Sequence, residues 1–184
     1  AFAKARSENG ERDARHRIEH SQVVRADDVD RFRELAVIAS IQPCHCIDDM
    51  RWAEKRIGAR VADSYRFASF LQGGVRLAFG TDWDVEPLDP RLGLYASVSR
   101  ELPAGGPAGG WHPEEKLSLA QAIEMYTLGS AYAEVQENVK GSVTKGKFAD
   151  LVVMERDLFE ISKKEILETP VAMTILAGKI VFKK

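Results

Sequence analysis

The sequence is poor in the groups that announce several common chemistries. Only two of its 184 residues are cysteine, Cys44 and Cys46, and they sit two apart. That is too few for a disulfide framework and fits a reducing compartment, so the expected location is cytoplasmic. No apolar run approaches the ~20 residues of a membrane-spanning helix, and no membrane partner is expected. A dominant charge is missing too: 26 basic against 28 acidic side chains leave a net charge of −2. That balance argues against nucleic acid or an anionic lipid surface. No Gly-x-Ser-x-Gly elbow is present, which sets aside a serine hydrolase of that type. There is no dinucleotide fingerprint, and the Gly-rich stretch Pro103 to Gly110 lacks the Lys-Ser/Thr pair of a phosphate loop. The start, Ala1-Phe2-Ala3-Lys4-Ala5-Arg6, is too mixed and polar for a signal peptide. It opens on Ala rather than Met, which suits processing or truncation.

What is present reads as an ordinary globular chain, with 45% hydrophobic and 29% charged residues. The first dozen residues read as the end of a helix followed by the turn Asn9-Gly10. Ala14 to His20 is a short strand candidate ending in polar side chains. Asp27-Asp28 opens a helix with Val29, Phe32, Leu35 and Ala36 on one stripe, and the two acids suit its positive end. Val37 to Ile41 is a buried-type strand stopped by Pro43. Asp48-Asp49 reads as a helix N-terminus before Met50 to Lys55. A helical stretch from about Ser64 to Gln72 ends at Gly73-Gly74, and Val75 to Gly80 is a third strand. Strand, helix, strand, helix, strand is the order of parallel (β/α) units, because parallel strands need crossovers. Leu119, Ala122, Ile123 and Tyr126 form a later helical stripe, and Ser118 with Gln121 makes a capping box. After about Asn138 the pattern changes. Leu151 to Met154 is a strand, Lys163 to Leu167 a short helix, and Val171 to Phe182 a strand pair hinged at Gly178. This reads as a small β appendage.

Polar residues gather just past the strand ends, the edge where α/β folds bind ligands. By side-chain alternation His16, Ile18 and His20 share one strand face. His20, at its end, is a candidate metal ligand, or else a hydrogen-bonded loop histidine. Asp82 follows Gly80-Thr81 at the end of the third strand. A carboxylate there can bind a metal and take the proton of a bound water, or simply cap a turn. Cys44-His45-Cys46 lacks the second ligand pair that a structural zinc site requires, so the cysteines read as small, half-buried residues. His45 lies past a strand end and can hydrogen-bond a substrate or a developing oxyanion. His112 reads as loop surface or a pocket lid. Glu19 reads as structural, paired with Arg15 or Arg17.

Taken in order, the motifs resemble a known family. They are His16-Arg17-Ile18-Glu19-His20, then Ser40-Ile41-Gln42-Pro43 with His45 and Asp48-Asp49-Met50, then Phe79-Gly80-Thr81-Asp82-Trp83. They look like the C-terminal part of the amidohydrolase superfamily, in the amidohydrolase 3 branch that includes N-substituted formamide deformylases. Two later segments look like that family's closing part: Gly141-Ser142-Val143 with Lys145 to Val153, and Ile175 to Val181.

The resemblance implies an α/β fold made of the last three βα units of a (β/α)8 barrel, residues 1–137, with part of a small β-sandwich at 138–184. It implies hydrolysis of amide-like carbon–nitrogen bonds using a divalent metal, zinc being the expected ion. By resemblance His20 and Asp82 are metal ligands, Asp82 is also the catalytic acid/base, and His45 and Gln42 face the substrate. Missing from the family's pattern are the His-x-His of the first strand, the bridging lysine or carboxylate, and the histidine of the fifth. Two ligands fall short of a stable zinc site. The chain alone is therefore expected to bind zinc weakly and to lack turnover. Three strands cannot close a barrel, so two open edges and an apolar inner face are expected, with self-association or pairing with a missing N-terminal part. A non-catalytic assembly fragment, a deaminase and a cyclic amidase stand as the alternatives.

Overall fold

The structure, a computed structural model, describes residues 1–184. Three parallel strands, β1 (Arg17–Glu19), β2 (Ile38–Ile41) and β3 (Leu77–Phe79), form one sheet in the order β1-β2-β3. Helix α1 (Phe2–Asn9) precedes β1 and ends at Gly10, whose φ of 79° only glycine adopts freely. Helix α2 (Ala26–Glu34) crosses from β1 to β2 and buries Val29 and Phe32, two members of the expected stripe. From β2 to β3 the chain passes through α3 (Pro43–Asp49), α4 (Ala53–Ile57), a 3₁₀ segment and α5 (Phe67–Gln72).

The register explains where the core sits. Ile18, Ala39 and Leu77 are aligned, as are Glu19, Ser40 and Ala78. Alternation turns Ala39, Ile41, Leu77 and Phe79 to the helices, where they join Val29, Phe32, Phe67 and Phe70 in a buried core. The opposite face is more polar than expected. Ile38 and Ala78 are buried there, but Arg17 and Glu19 are exposed and Ser40 is half-buried.

The second crossover departs from expectation at three points, Pro43, Asp48-Asp49 and the two cysteines. Pro43 does not merely stop β2; it occupies the first turn of α3, where its fixed φ and missing N–H suit a helix start. Asp48 and Asp49 therefore close α3 instead of opening the next helix, which begins at Ala53. Asp49 is held in that place by tertiary bonds. It accepts the hydroxyl of Tyr65 and, at 3.0 Å, the amide of Gln22. The cysteines are not half-buried but fully buried, at 1% and 0% exposure. Both thiols are pushed up to about 12, burial being the main cause.

Beyond β3, helix α6 (Pro90–Ser99) starts at Asp89, whose carboxylate accepts the N–H of Arg91. Helix α7 (Leu119–Glu124) begins with the capping box of Ser118 and Gln121. A π-helical turn at Met125–Gly129 then leads into α8 (Ser130–Ala133). This segment lies along the outer edge of β3. Ser130 Oγ donates to the Phe79 carbonyl at 2.7 Å, and Gly129 approaches the Leu77 carbonyl so closely that an added Cβ would sit 2.4 Å from it. One of the two expected open edges is thus covered by the chain itself. All three residues of β1 are exposed.

A second, antiparallel sheet is built from β4 (Leu151–Met154), β5 (Val171–Leu176) and β6 (Lys179–Lys183), in that order. The hairpin between β5 and β6 turns at Ala177-Gly178, both with positive φ. Helix α9 (Glu165–Glu168) returns to the first part of the chain. Ile166 packs with Leu94, Val98 and Ala122 in a separate buried cluster, and Arg91 Nη1 donates to the Thr169 carbonyl at 2.7 Å.

Candidate active site at the strand ends

His20, His45 and Asp82 meet at the C-terminal edge of the parallel sheet. Each offers one ligand atom, and those atoms lie within 4.8 Å of one another. Each residue arrives by a different local device. His20 does not continue the alternation of β1 as expected, because β1 ends at Glu19 and His20 and Ser21 take φ of 68° and 43°. That left-handed pair ends the strand geometry where the imidazole meets the Gln42 amide oxygen, 2.9 Å from Nδ1. Ser21 Oγ donates to the Ile18 carbonyl at 3.1 Å and closes the turn. Asp82 also sits at positive φ, 59°, and its carbonyl accepts the Val85 N–H at 2.7 Å. Non-glycine residues at such angles are uncommon, carry strain and concentrate at functional sites. His45 instead rides on α3, anchored by its buried neighbours Cys44, Cys46 and Ile47.

The rings of His20 and His45 stack at 5.7 Å between centroids and 26° between planes. Asp82 Oδ2 lies 3.6 Å from His45 Nε2 and 3.9 Å from His20 Nδ1. Gln42, at the N-cap of α3, places Oε1 2.9 Å from His20 Nδ1. His45 Nε2 is buried and has no hydrogen-bond partner. Burial pushes its imidazole below the usual histidine range, against the pull of Asp82 and with the push of His20. A neutral imidazole presents a lone pair rather than a charge, the form a cation requires. The donor set of two imidazoles and one carboxylate is therefore chemically suited to a divalent transition ion.

The surroundings contain groups the sequence reading passed over. Glu86, on the loop after Asp82, is raised above the usual carboxylate range, first by burial and then by Asp49. Tyr65 and Gln22 join Asp49 in a network one helical turn along α3 from His45, tying that helix to the loop after β1. Pro43 immediately before Cys44-His45-Cys46 was the available signal that His45 is carried by a helix start. His112 lies away from the triad, half-buried, with its ring against Trp111 and Nδ1 3.3 Å from Glu114. Glu19 pairs with Arg17, as one of the two options had it.

The profile of the amidohydrolase family matches residues 1–182. The chain belongs to the amidohydrolase family. It is 35% identical over 173 residues to the protein LONG AFTER FAR-RED 3 of Arabidopsis thaliana, covering 93% of this chain and 29% of that protein. It is 30% identical over 116 residues to the N-substituted formamide deformylase of Arthrobacter pascens, covering 63% and 21% respectively. Among solved structures it resembles an uncharacterised metal-dependent hydrolase from Pyrococcus horikoshii OT3, with a TM-score of 0.71 and 32% identity over 80% of this chain and 30% of that one. The matched part thus spans between about a fifth and three tenths of the length of these relatives. The family expected from the motifs is the family found. The fold is α/β with a parallel sheet. No helix is long and apolar enough to cross a membrane.

Proposed function

We propose that this chain supplies the C-terminal part of the active site of a metal-dependent hydrolase that cleaves amide-like, non-peptide carbon–nitrogen bonds. The observation that carries this is the convergence of His20, His45 and Asp82 within 4.8 Å at one strand-end edge, in a member of the amidohydrolase family. Zinc is the favoured ion, with His20 and Asp82 holding it. A bound divalent cation supplies Lewis acidity and lowers the pKa of a water towards ~7.

The chain's own groups do the rest. Both imidazole contacts of Asp82 fall on Oδ2, which leaves Oδ1 to accept a proton from the attacking water and return it to the departing nitrogen. Gln42, buried beside His20 Nδ1, offers its amide to a substrate carbonyl. Stacking of His20 on His45 limits the freedom of both rings, so their donor atoms stay aimed at one place.

On this reading the parallel strands are the last three βα units of a (β/α)8 barrel, residues 1–137, and residues 138–184 are part of a small β-sandwich. The order β1-β2-β3 with helical crossovers supports it. A three-stranded sheet cannot enclose a substrate, so turnover needs strands from beyond this chain, and the chain alone is inactive. The exposed edge of β1 takes such a strand; with none available, a second copy of the chain does so. Light scattering tests this, since a monomer at tens of micromolar argues against the free edge. The unpaired buried thiols suit a cytoplasmic setting.

The activity is tested on the product of the full reading frame that contains these residues, assayed against N-substituted formamides, N-acyl amines and cyclic amides. Asp82→Asn is expected to lower turnover by about 10²–10⁴-fold, the range of a lost acid/base group. Unchanged turnover in Asp82→Asn refutes the assignment.

A further inference from the structure

We propose that His45 is a protein ligand of the cation, completing with His20 and Asp82 a three-ligand site carried by this chain alone. The inference rests on the metal-hydrolase reading and moves His45 from the substrate to the ion, leaving Gln42 as the polar group on the substrate side.

Three observations lead there. His45 Nε2 is a buried nitrogen without any hydrogen-bond partner, on a residue only 9% exposed. An orphaned buried polar atom is costly unless something satisfies it. Asp82 Oδ2 stands 3.6 Å away, too far for a hydrogen bond. Secondly, the spacing suits a shared ion. Ligand atoms at ~2.0–2.2 Å from a tetrahedral zinc lie about 3.4 Å apart. The observed separations from Asp82 Oδ2 are 3.6 Å to His45 and 3.9 Å to His20, and all three ligand atoms lie within 4.8 Å of one another, so the two Asp82 pairs close by a few tenths of an ångström and the two imidazoles by at most about 1.4 Å. Thirdly, the anchors differ in kind. His20 and Asp82 sit on strained turns at φ of 68° and 59°, whereas His45 is fixed by α3, whose Cys44 and Cys46 are 1% and 0% exposed. A ligand on a packed helix gives the site a rigid side.

Three protein ligands with an open fourth position is the ligand count of a catalytic zinc site, not of a closed structural one. Two imidazoles with one carboxylate also accept iron(II), cobalt(II) or manganese(II). Loading replaces one contact. His20 Nδ1 faces Gln42 Oε1 at 2.9 Å, so an ion taken at that nitrogen displaces the Gln42 amide, which is then free to meet a substrate.

The test is cobalt(II) titration of the chain followed by visible absorption, with X-ray absorption spectroscopy counting imidazole ligands in the unaltered protein. Two imidazoles per cobalt support the proposal. A single imidazole overturns it while leaving a His20–Asp82 ion in place. In parallel, His45→Ala is expected to weaken cobalt binding by more than ~100-fold, beyond the ~10–100-fold that loss of an outer-shell partner costs. Binding within about threefold of the unaltered chain, with His20→Ala and Asp82→Asn both losing it, overturns the role of His45 alone. Absence of stoichiometric cobalt from every form, with circular dichroism showing them folded, overturns the three-ligand site. The hydrolase reading is then still judged by its own assay on the full reading frame.

Discussion

Replacing Gly129 by alanine sets two opposed effects against each other at one atom. In a helix with room around it, Gly→Ala stabilises by roughly 0.5–1 kcal/mol, because glycine loses more backbone freedom on folding. At Gly129 the new Cβ would stand 2.4 Å from the Leu77 carbonyl oxygen, about 1 Å inside ordinary contact. The helix cannot simply rotate away. The next residue, Ser130, is tied to the Phe79 carbonyl at 2.7 Å on the same strand. Overpacking of this kind costs about 1–3 kcal/mol, and parting the Ser130 bond adds about 1 kcal/mol. The clash wins, and the net is a loss of about 1–3 kcal/mol. For a chain of this size that lowers Tm by roughly 2–10 °C. Urea denaturation followed by far-UV circular dichroism gives the number, with Ser130→Ala as a companion expected to lose about 1 kcal/mol. A gain in stability for Gly129→Ala refutes the idea that residues 125–133 cover the outer edge of β3.

The remaining predictions concern groups whose environments are equally specific. Glu165 is held well down, to about 2, by hydrogen bonds from Ser162 and then Arg156. A depressed carboxylate stabilises above its ordinary value near 4.5 and loses that contribution as pH falls from there towards 2. Glu165→Gln should therefore flatten part of the acid denaturation profile between those values, and an identical profile contradicts the assignment. Tyr65→Phe removes, from a residue only 2% exposed, a hydroxyl that donates to Asp49 and accepts from Gln22 at 2.9 Å, for an expected loss of about 1–3 kcal/mol in denaturant titration. Cys44 and Cys46, buried and pushed up to about 12, should resist a thiol reagent in the native state and both react in urea. Rapid native labelling of either contradicts their placement.

The coarse architecture was legible because it rests on local rules. Apolar runs bounded by Gly73-Gly74, Pro43 and Asp27-Asp28 mark crossovers, Ser118 with Gln121 marks a helix start, and Gly178 marks a hairpin. The placement of His20 and Asp82 at the strand ends was legible for the same reason, since both follow their strands directly. What escaped depended on backbone detail or long-range contact. Alternation continues β1 through His20, whereas the strand ends at Glu19 and His20 takes a φ of 68°. Asp48-Asp49 has the charge pattern of a helix start, yet Asp49 closes a helix because Tyr65 and Gln22, distant in sequence, bind it there. The cover over β3 comes from residues about fifty positions later, through a hydroxyl and a missing Cβ that leave no periodic trace. His45 was visible as a strand-end histidine, but its proximity to Asp82 follows from α3 beginning at Pro43.

Two ligands alone would hold zinc only weakly, whereas with His45 as the third this chain by itself presents a divalent-cation site at the ends of its parallel strands. Equilibrium dialysis against zinc with elemental analysis measures it most directly, on the unaltered chain and on Asp82→Ala. One zinc retained per chain, and none in Asp82→Ala, is the expected result. No stoichiometric zinc on the folded chain, or equal retention in Asp82→Ala, contradicts it.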